Sequence, residues 1–576
     1  MGDIAYLVSA LKSSTSAGHL SDSDPEFRSK LINNIVYHVP RVQCVQDLYC
    51  LANAILNSRI WGNGDAALKL YDMSRSFMHW KLQMSEPTIS ISTFYETWDT
   101  CIKRCPSWNI NKLGILSGIL STKNEFLQLN QNYFIDDRGI VSNYYKHWRK
   151  TYFIYGWNAS LVRYYSDPEG EMKLILLYVP INVSNDNIPW PVVMRSLMNL
   201  MTMYTRQEKH VLFNENDFLN RNINNVAKTL QLATLHCEDG LLAKILNTFC
   251  GNLYDLSVNE QNRNTNREVF KDVYYTNILI TAVMFFKSIL DAKQDNIPNG
   301  WRHQIIICLF YTHFIAREFT TEGFRSYEFV YNVAITGLTD ASCQEPQLYL
   351  DLVGMMTSSI WNVSGNTVQD AKLLFLLEFI EYTIPQYPNM TDTLMLDVMK
   401  QLIYRNIHNR DTELKEATNT MAMAAISNGS PQVLQWKQSF IPKYLRLTSQ
   451  EYLQEGLSIR QFLIINKRIA ETIESMDIHG IIQSKVSSDT LNYLLTTSSD
   501  KSLSPEQRCT MAQCLIIHAI HASKTEQLHW LTKCYSLVTV QTRGTLLPVL
   551  WETVLHLNSD AALHWWYQTV VTSSKF

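Results

Sequence analysis

The chain has 576 residues, too many for one compact core, and its length points to roughly three or four domains or one elongated repeat-like body. Apolar residues make up 46% and charged residues 18%, which excludes a disordered chain. Basic and acidic residues nearly balance, at 50 against 53, which argues against a nucleic-acid surface, and 16 prolines and 20 glycines are too few for collagen-like, linker-like or many-stranded sandwich architectures.

The first residues, Ile4 to Lys12, read as a short helix, followed by a Ser/Gly-rich loop from Ser13 to Ser23. Pro25 opens a longer helix through Leu31 and Ile35. Leu48, Leu51, Ala52, Ile55 and Leu56 recur at the spacing of one helical face. Gly62-Asn63-Gly64-Asp65-Ala66-Ala67 has the letters of a dinucleotide-binding loop. Such a loop must follow a strand, and a helical pattern precedes it here, so a helix C-cap followed by an Asp-capped helix is expected instead. Between Trp80 and Tyr95, a Ser-Glu-Pro break separates two aromatic-rich helices.

Tyr144, Tyr145, Trp148, Tyr152, Phe153, Tyr155 and Trp157 are interleaved with Lys146, Arg149 and Lys150. That mixture could stack single-stranded nucleic acid. Its helical spacing favours a helix that buries one aromatic face. Leu174 to Val179 is the one candidate strand. Two polar stretches, Arg206–Arg221 and Leu256–Lys271, are candidate boundaries flanking a helix pair. From Val273 onward, helical segments recur at 273–291, 303–319, 325–337, 347–358, 367–383, 391–408 and 412–427, with the same style continuing from Ser458. No fixed repeat with marker residues recurs.

The expected fold is therefore all-α: an elongated, irregular α-solenoid-like stack of antiparallel helix pairs. Its expected parts are an aromatic-rich region at 1–205, a polar-flanked helix pair at 206–272, a hairpin stack at 273–457, a C-terminal helical region at 458–571 and an exposed tail at 572–576. The most apolar runs are too short for the ~20 residues of a membrane span or carry charges, as Leu373–Ile384 carries Glu378 and Glu381. They read as buried helices, so membrane association is expected to be peripheral. The eleven cysteines include no Cys-x-x-Cys pair and read as small buried hydrophobes in a reducing compartment. With no secretory signal read, the Asn-x-Ser/Thr sequons are taken as chance.

Chemistry is sparse. Cys514, His518 and His521 share a helical face and could hold zinc only with a fourth ligand; packed core histidines are the simpler reading. Glu378 and Glu381 read as a solvated helix edge. No Walker, kinase, Gly-x-Ser-x-Gly or His-Glu-x-x-His motif occurs, so no catalytic, metal or cofactor residues are assigned. The chain ends Ser574-Lys575-Phe576, one residue from Ser-Lys-Leu, the C-terminal address read by the peroxisomal import receptor. A receptor groove can hold the terminal carboxylate, the small residue lets backbone approach backbone, and the last side chain fills an apolar pocket. Ser559-Asp560 is expected to cap the last helix, with Leu563, Trp566, Tyr567 and Val570 on one face. An N-terminal form of the address fails, because Ser13 occupies its aliphatic position.

Several stretches resemble the peroxin-8 family of fungal peroxisomal import factors. They are Tyr37-His38-Val39-Pro40-Arg41-Val42, Trp80 to Thr88 with Ile91-Ser92, Asn132-Tyr133-Phe134-Ile135-Asp136, Gly323 to Tyr331 and Trp565-Trp566-Tyr567. They span the chain in the family's order. Phe576 departs from the family, where Leu is usual. The resemblance implies a non-enzymatic scaffold, peripheral on the matrix side of the peroxisomal membrane. Its implied partners are the import receptor, captured by Ser574, Lys575 and Phe576, the docking-complex peroxins and the RING-finger ligase peroxins. Help with cargo release is a further implied role. A helical matrix enzyme sharing the address is the alternative. The aromatic helices near Tyr144 and Trp157 are candidate docking faces.

Overall fold

The computed structural model describes residues 3–13, 25–62, 66–136, 138–164, 167–181, 188–206, 216–293, 296–322, 325–342, 345–360, 365–386, 393–428, 433–477 and 483–572. Every regular element among them is helical, as the residue pattern predicts, and no strand occurs there. The candidate strand Leu174–Val179 belongs to the helix Pro168–Tyr178 and its C-cap. Asp167 starts that helix by accepting a hydrogen bond from Glu169 N at 3.2 Å, and Pro168 fills the first turn. Leu174 to Tyr178 are then buried on all sides, so an unbroken apolar run carries no period to distinguish helix from strand.

Caps decide the sharpest boundaries. Asn366 Oδ1 accepts from Val368 N and Gln369 N at 2.9 and 3.4 Å, opening Thr367–Thr383. Asp411 Oδ1 accepts from Glu413 N and Leu414 N at 2.9 and 3.3 Å, opening Thr412–Ser427. Both helices begin and end where the sequence predicts. Elsewhere the caps differ. The helix Ala67–Gln83 starts from Ala66 with no side-chain cap, and Asn63–Asp65 of the expected cap lie outside the described residues. A helix, Val45–Asn57, precedes Gly62, so the dinucleotide-loop geometry is not met. Polar Leu256–Arg263 continues the helix Asp239–Arg263 rather than leaving it.

Contacts divide the chain into two compact units. The first comprises Met1–Leu256, Glu268–Ile297 and Gly323–Val330; the second comprises Ser257–Arg267, Pro298–Glu322 and Tyr331–Phe576. In the first unit, alternate helices stack on one another in two rows. Asp3–Ser13, Val45–Asn57, Ile91–Lys103 and Ile140–His147 form one row; Pro25–His38, Ala67–Gln83, Ile110–Ser121 and Pro168–Tyr178 form the other. The chain then continues through Trp190–Thr205, Asn216–His236 and Val273–Lys293, each packed on the one before. Among the described residues Val273–Lys293 alone is long and apolar enough to cross a bilayer; 67% of its most apolar stretch is buried in the fold, as in a core helix.

The second unit repeats the scheme. Thr367–Thr383, Thr412–Ser427, Ile459–Asp477, Pro505–Ala519 and Arg543–His556 stack in chain order. Their partners flank them, with Leu434–Leu453 against Gln483–Ser498 and Gln527–Ser536 against Asp560–Trp566. This helix-pair stacking buries apolar stripes between rows and leaves loops and outer faces for contact.

Candidate docking surfaces

The described chain stops at Thr572, so the predicted receptor-binding residues Ser574, Lys575 and Phe576 lie outside the described residues. What precedes them is firmly held. Asp560–Trp566 is followed by a π-helical turn, Tyr567–Val571. Trp565 Nε1 donates to Thr532 Oγ1 at 3.0 Å, and the Trp566 ring meets Trp551 at 5.0 Å. Ser559 occupies the cap position without forming a side-chain cap bond. The π turn adds a residue to the helical repeat, so Val570 is buried while Tyr567, expected on the same face, is exposed.

The aromatic stretch is mainly core. Tyr145, Trp148, Phe153 and Trp157 are all fully buried. The Tyr145 hydroxyl lies 2.6 Å from the Tyr95 hydroxyl and 3.0 Å from Thr122 Oγ1. Trp148 Nε1 donates to Asp99 Oδ1 at 2.8 Å, and Trp157 Nε1 donates to the Leu174 carbonyl at 2.7 Å. These rings are spent on joining helices and cannot stack a nucleic-acid strand. The aromatics left outside are Tyr155 and, at the end of Lys123–Tyr133, Tyr133 and Phe134. Phe134 adopts φ 51°, ψ 40°, a left-handed conformation that costs a non-glycine residue about 1–2 kcal/mol.

Two of the stretches that carry the family resemblance, Tyr37 to Val42 and Trp80 to Thr88 with Ile91-Ser92, meet in space. Ile89 N donates to the Val42 carbonyl at 3.4 Å. Arg41 Nη1 donates to the Tyr37 carbonyl at 3.0 Å, its guanidinium lies 4.2 Å from the Tyr37 ring centroid, and its Nε stands 3.5 Å from Glu86. Lys81 is buried and donates from Nζ to Thr88 Oγ1 at 2.5 Å and to the Ile89 carbonyl at 2.7 Å. Burial lowers its pKa to about 8. Sequence reading missed this lysine clasp, because a lysine in a helix pattern gives no sign of being turned inward.

Cys514 and His518 lie on the helix Pro505–Ala519, whereas His521 falls in the turn after it and so is not on a shared helical face; all three are buried. His518 Nε2 stands 3.3 Å from Asn466 Oδ1, and burial, aided by His521, pushes the ring's pKa down to about 3. A neutral histidine bonded to a buried asparagine is a packing residue. No group of three metal-ligating side chains is found among the described residues. The titratable cluster of the second unit surrounds Arg317, which is buried and pairs with Asp411 at 3.0 Å and with Glu413. Glu378, expected at a solvated edge, is half-exposed, yet burial first and then Glu413 and Glu381 raise its pKa to about 7. Five described cysteines are buried as expected; Cys44 is exposed, and Cys50, Cys105, Cys250 and Cys509 are partly so.

The fold defines an all-α protein of stacked helix pairs, in which buried polar groups tie helices together. No protein-family model matches the chain. It is 26% identical, over an alignment of 615 residues covering 99% of its length and 98% of the relative's, to Peroxisomal biogenesis factor 8 of Saccharomyces cerevisiae. The likeness runs from end to end, and the resemblance to the peroxin-8 family is thereby supported along the whole chain.

Proposed function

We propose that the chain is a non-enzymatic organiser of peroxisomal matrix protein import, acting from the inner face of the peroxisomal membrane as a peripheral protein. In this reading it bridges the receptor-docking and RING-finger ubiquitin-ligase subcomplexes and helps the import receptor to release cargo. The observation that carries the proposal is the end-to-end likeness to a peroxisomal biogenesis factor. Stacked helix pairs suit the task, because they offer long contact faces without a reaction centre.

The import receptor is proposed to capture Ser574, Lys575 and Phe576. From Val571 the remaining five residues reach roughly 17 Å when extended, enough to enter a groove beside the terminal helix. The test is binding of the purified receptor's helical-repeat domain to the full chain and to a chain lacking Ser574–Phe576. Loss of binding in the shortened chain is expected; equal affinity removes the tail from the proposal. In cells lacking the protein, the full chain should restore import of matrix proteins. Restored import of the chain itself without import of other cargo would favour the helical matrix enzyme instead.

A further inference from the structure

The hairpin formed by Lys123–Tyr133 and Ile140–His147 carries an exposed aromatic group at one end and a group of cations at the other. At its tip, Tyr133 and Phe134 are 71% and 76% exposed, and Ile140 beside them is also exposed. Hydrogen bonds tie the described residues on either side of the turn. Asn130 Oδ1 accepts from Asp136 N at 2.7 Å, and the Asp136 carboxylate accepts from Val141 N at 3.2 Å and Ser142 N at 3.0 Å. Phe134 closes the helix in a left-handed conformation, its N–H donating to the Asn130 carbonyl at 2.8 Å, a backbone role that glycine fills without strain and that makes no use of the ring standing in solvent.

The other end of the hairpin is basic. The bond between Thr122 and the Tyr145 hydroxyl draws their chain neighbours Lys123 and Lys146 to the same end. Arg149 follows Lys146 by one helical turn. None of the three forms an ion pair with a described residue. Glu125, on the same helix as Lys123, is taken up by His79 Nδ1 at 2.7 Å. Burial, then Arg149 and Lys146, holds the Lys123 ammonium below its usual pKa, the sign of cations gathered without a counter-charge.

We propose that this hairpin docks an acidic protein segment with one apolar end. Its carboxylates enter between Lys123, Lys146 and Arg149, and its apolar end covers Tyr133 and Phe134. The helix between the two poles has 11 residues, which sets them about 15 Å apart, the length of about ten helical residues of the partner. Lys123 and Arg149 are half-buried. A single carboxylate side chain reaches a recessed cation, whereas a flat sheet of lipid headgroups does not, which favours a protein segment over a membrane. The proposal does not depend on the tail or on the import role.

The test uses the full-length protein and a short fluorescein-labelled peptide carrying Trp-Leu at one end and a run of glutamates at the other. Its controls are the same peptide with lysines for glutamates, and vesicles of phosphatidylcholine and phosphatidylserine. Binding of the glutamate peptide should weaken with salt and fall about tenfold or more in K123E/R149E and in Y133S/F134S, with unchanged melting by circular dichroism. Phe134→Gly separates function from folding: it should raise the melting temperature, by relieving the left-handed residue, while weakening the peptide. The proposal is overturned by equal binding of the lysine peptide, by unchanged affinity in both double variants, by loss of stability in Phe134→Gly, or by vesicles binding where the glutamate peptide does not.

Discussion

His518 and Glu378 titrate in opposite senses, and both effects follow from surroundings. His518 is 1% exposed and neutral in the fold, with its pKa pushed down to about 3. An unfolded chain binds the proton near the ordinary value of about 6.5, so the stability His518 contributes is complete above that pH and is lost as pH falls. His518→Gln should cost about 1–3 kcal/mol at neutral pH through lost packing. It should also flatten the fall in stability below pH ~6.5, by up to about 1.4 kcal/mol per pH unit. Denaturant melts at a series of pH values read both effects. Glu378 is the reverse case: its charged form is disfavoured in the fold, so stability is complete below the ordinary carboxylate pKa and is lost as pH rises towards about 7. Its side chain is 46% exposed, and solvent screening reduces the effect. Glu378→Gln should raise the melting temperature at pH ~8, by an amount worth about 1 kcal/mol, and leave it unchanged near pH ~4.

At the scale of the element, helix packing decides what a residue is worth. Ile110–Ser121 approaches Ala67–Gln83 through Gly114 and Gly118. A Cβ on Gly118 would lie 2.0 Å from Ser74 Oγ and 2.3 Å from the Tyr71 carbonyl, and one on Gly114 would lie 2.3 Å from the Ala67 carbonyl. Backbone atoms cannot step aside as a flexible side-chain end can. Gly118→Ala should therefore destabilise the chain by about 2–3 kcal/mol, although alanine is the better helix former. Gly251, in the helix Asp239–Arg263, has nothing within 4 Å of an added Cβ, and Gly251→Ala should stabilise by about 0.5–1 kcal/mol. Urea unfolding of the pair gives opposite signs if packing, not propensity, governs. The sequence shows two glycines four apart in an apolar helix, but nothing in it says that Ala67 and Tyr71 lie against them. It does place the helices 367–383 and 412–427, whose caps Asn366 and Asp411 are made by residues adjacent in the chain.

At the scale of the whole molecule, the tail and the outer faces are the parts proposed to meet partners. Phe576→Leu should bind the import receptor more tightly than the natural tail, if the terminal pocket is shaped for an aliphatic side chain; titration against the receptor's helical-repeat domain measures it. The proposed tail address can be read in the sequence because such an address is an extended string of side chains. The hairpin surface is not, because Lys123 is far in sequence from Lys146 and Arg149, and tertiary contacts such as the Thr122–Tyr145 bond and the Phe126–Tyr145 ring contact set them at one end. Likewise the aromatic run from Tyr144 to Trp157 shows its helical spacing in the letters, but which rings stay outside depended on partners such as Tyr95, Asp99 and Leu174.

Helical class, most helix positions and the family likeness were determined by the sequence itself, since spacing, caps and characteristic words are local along the chain. Only the tertiary structure decided that Leu174–Tyr178 is a buried helix, that Lys81 is turned inward to clasp Thr88 and Ile89, and that Phe134 is strained and exposed. In each case the deciding atoms come from another turn or another helix, and a contact between distant segments leaves no period in the chain that makes it.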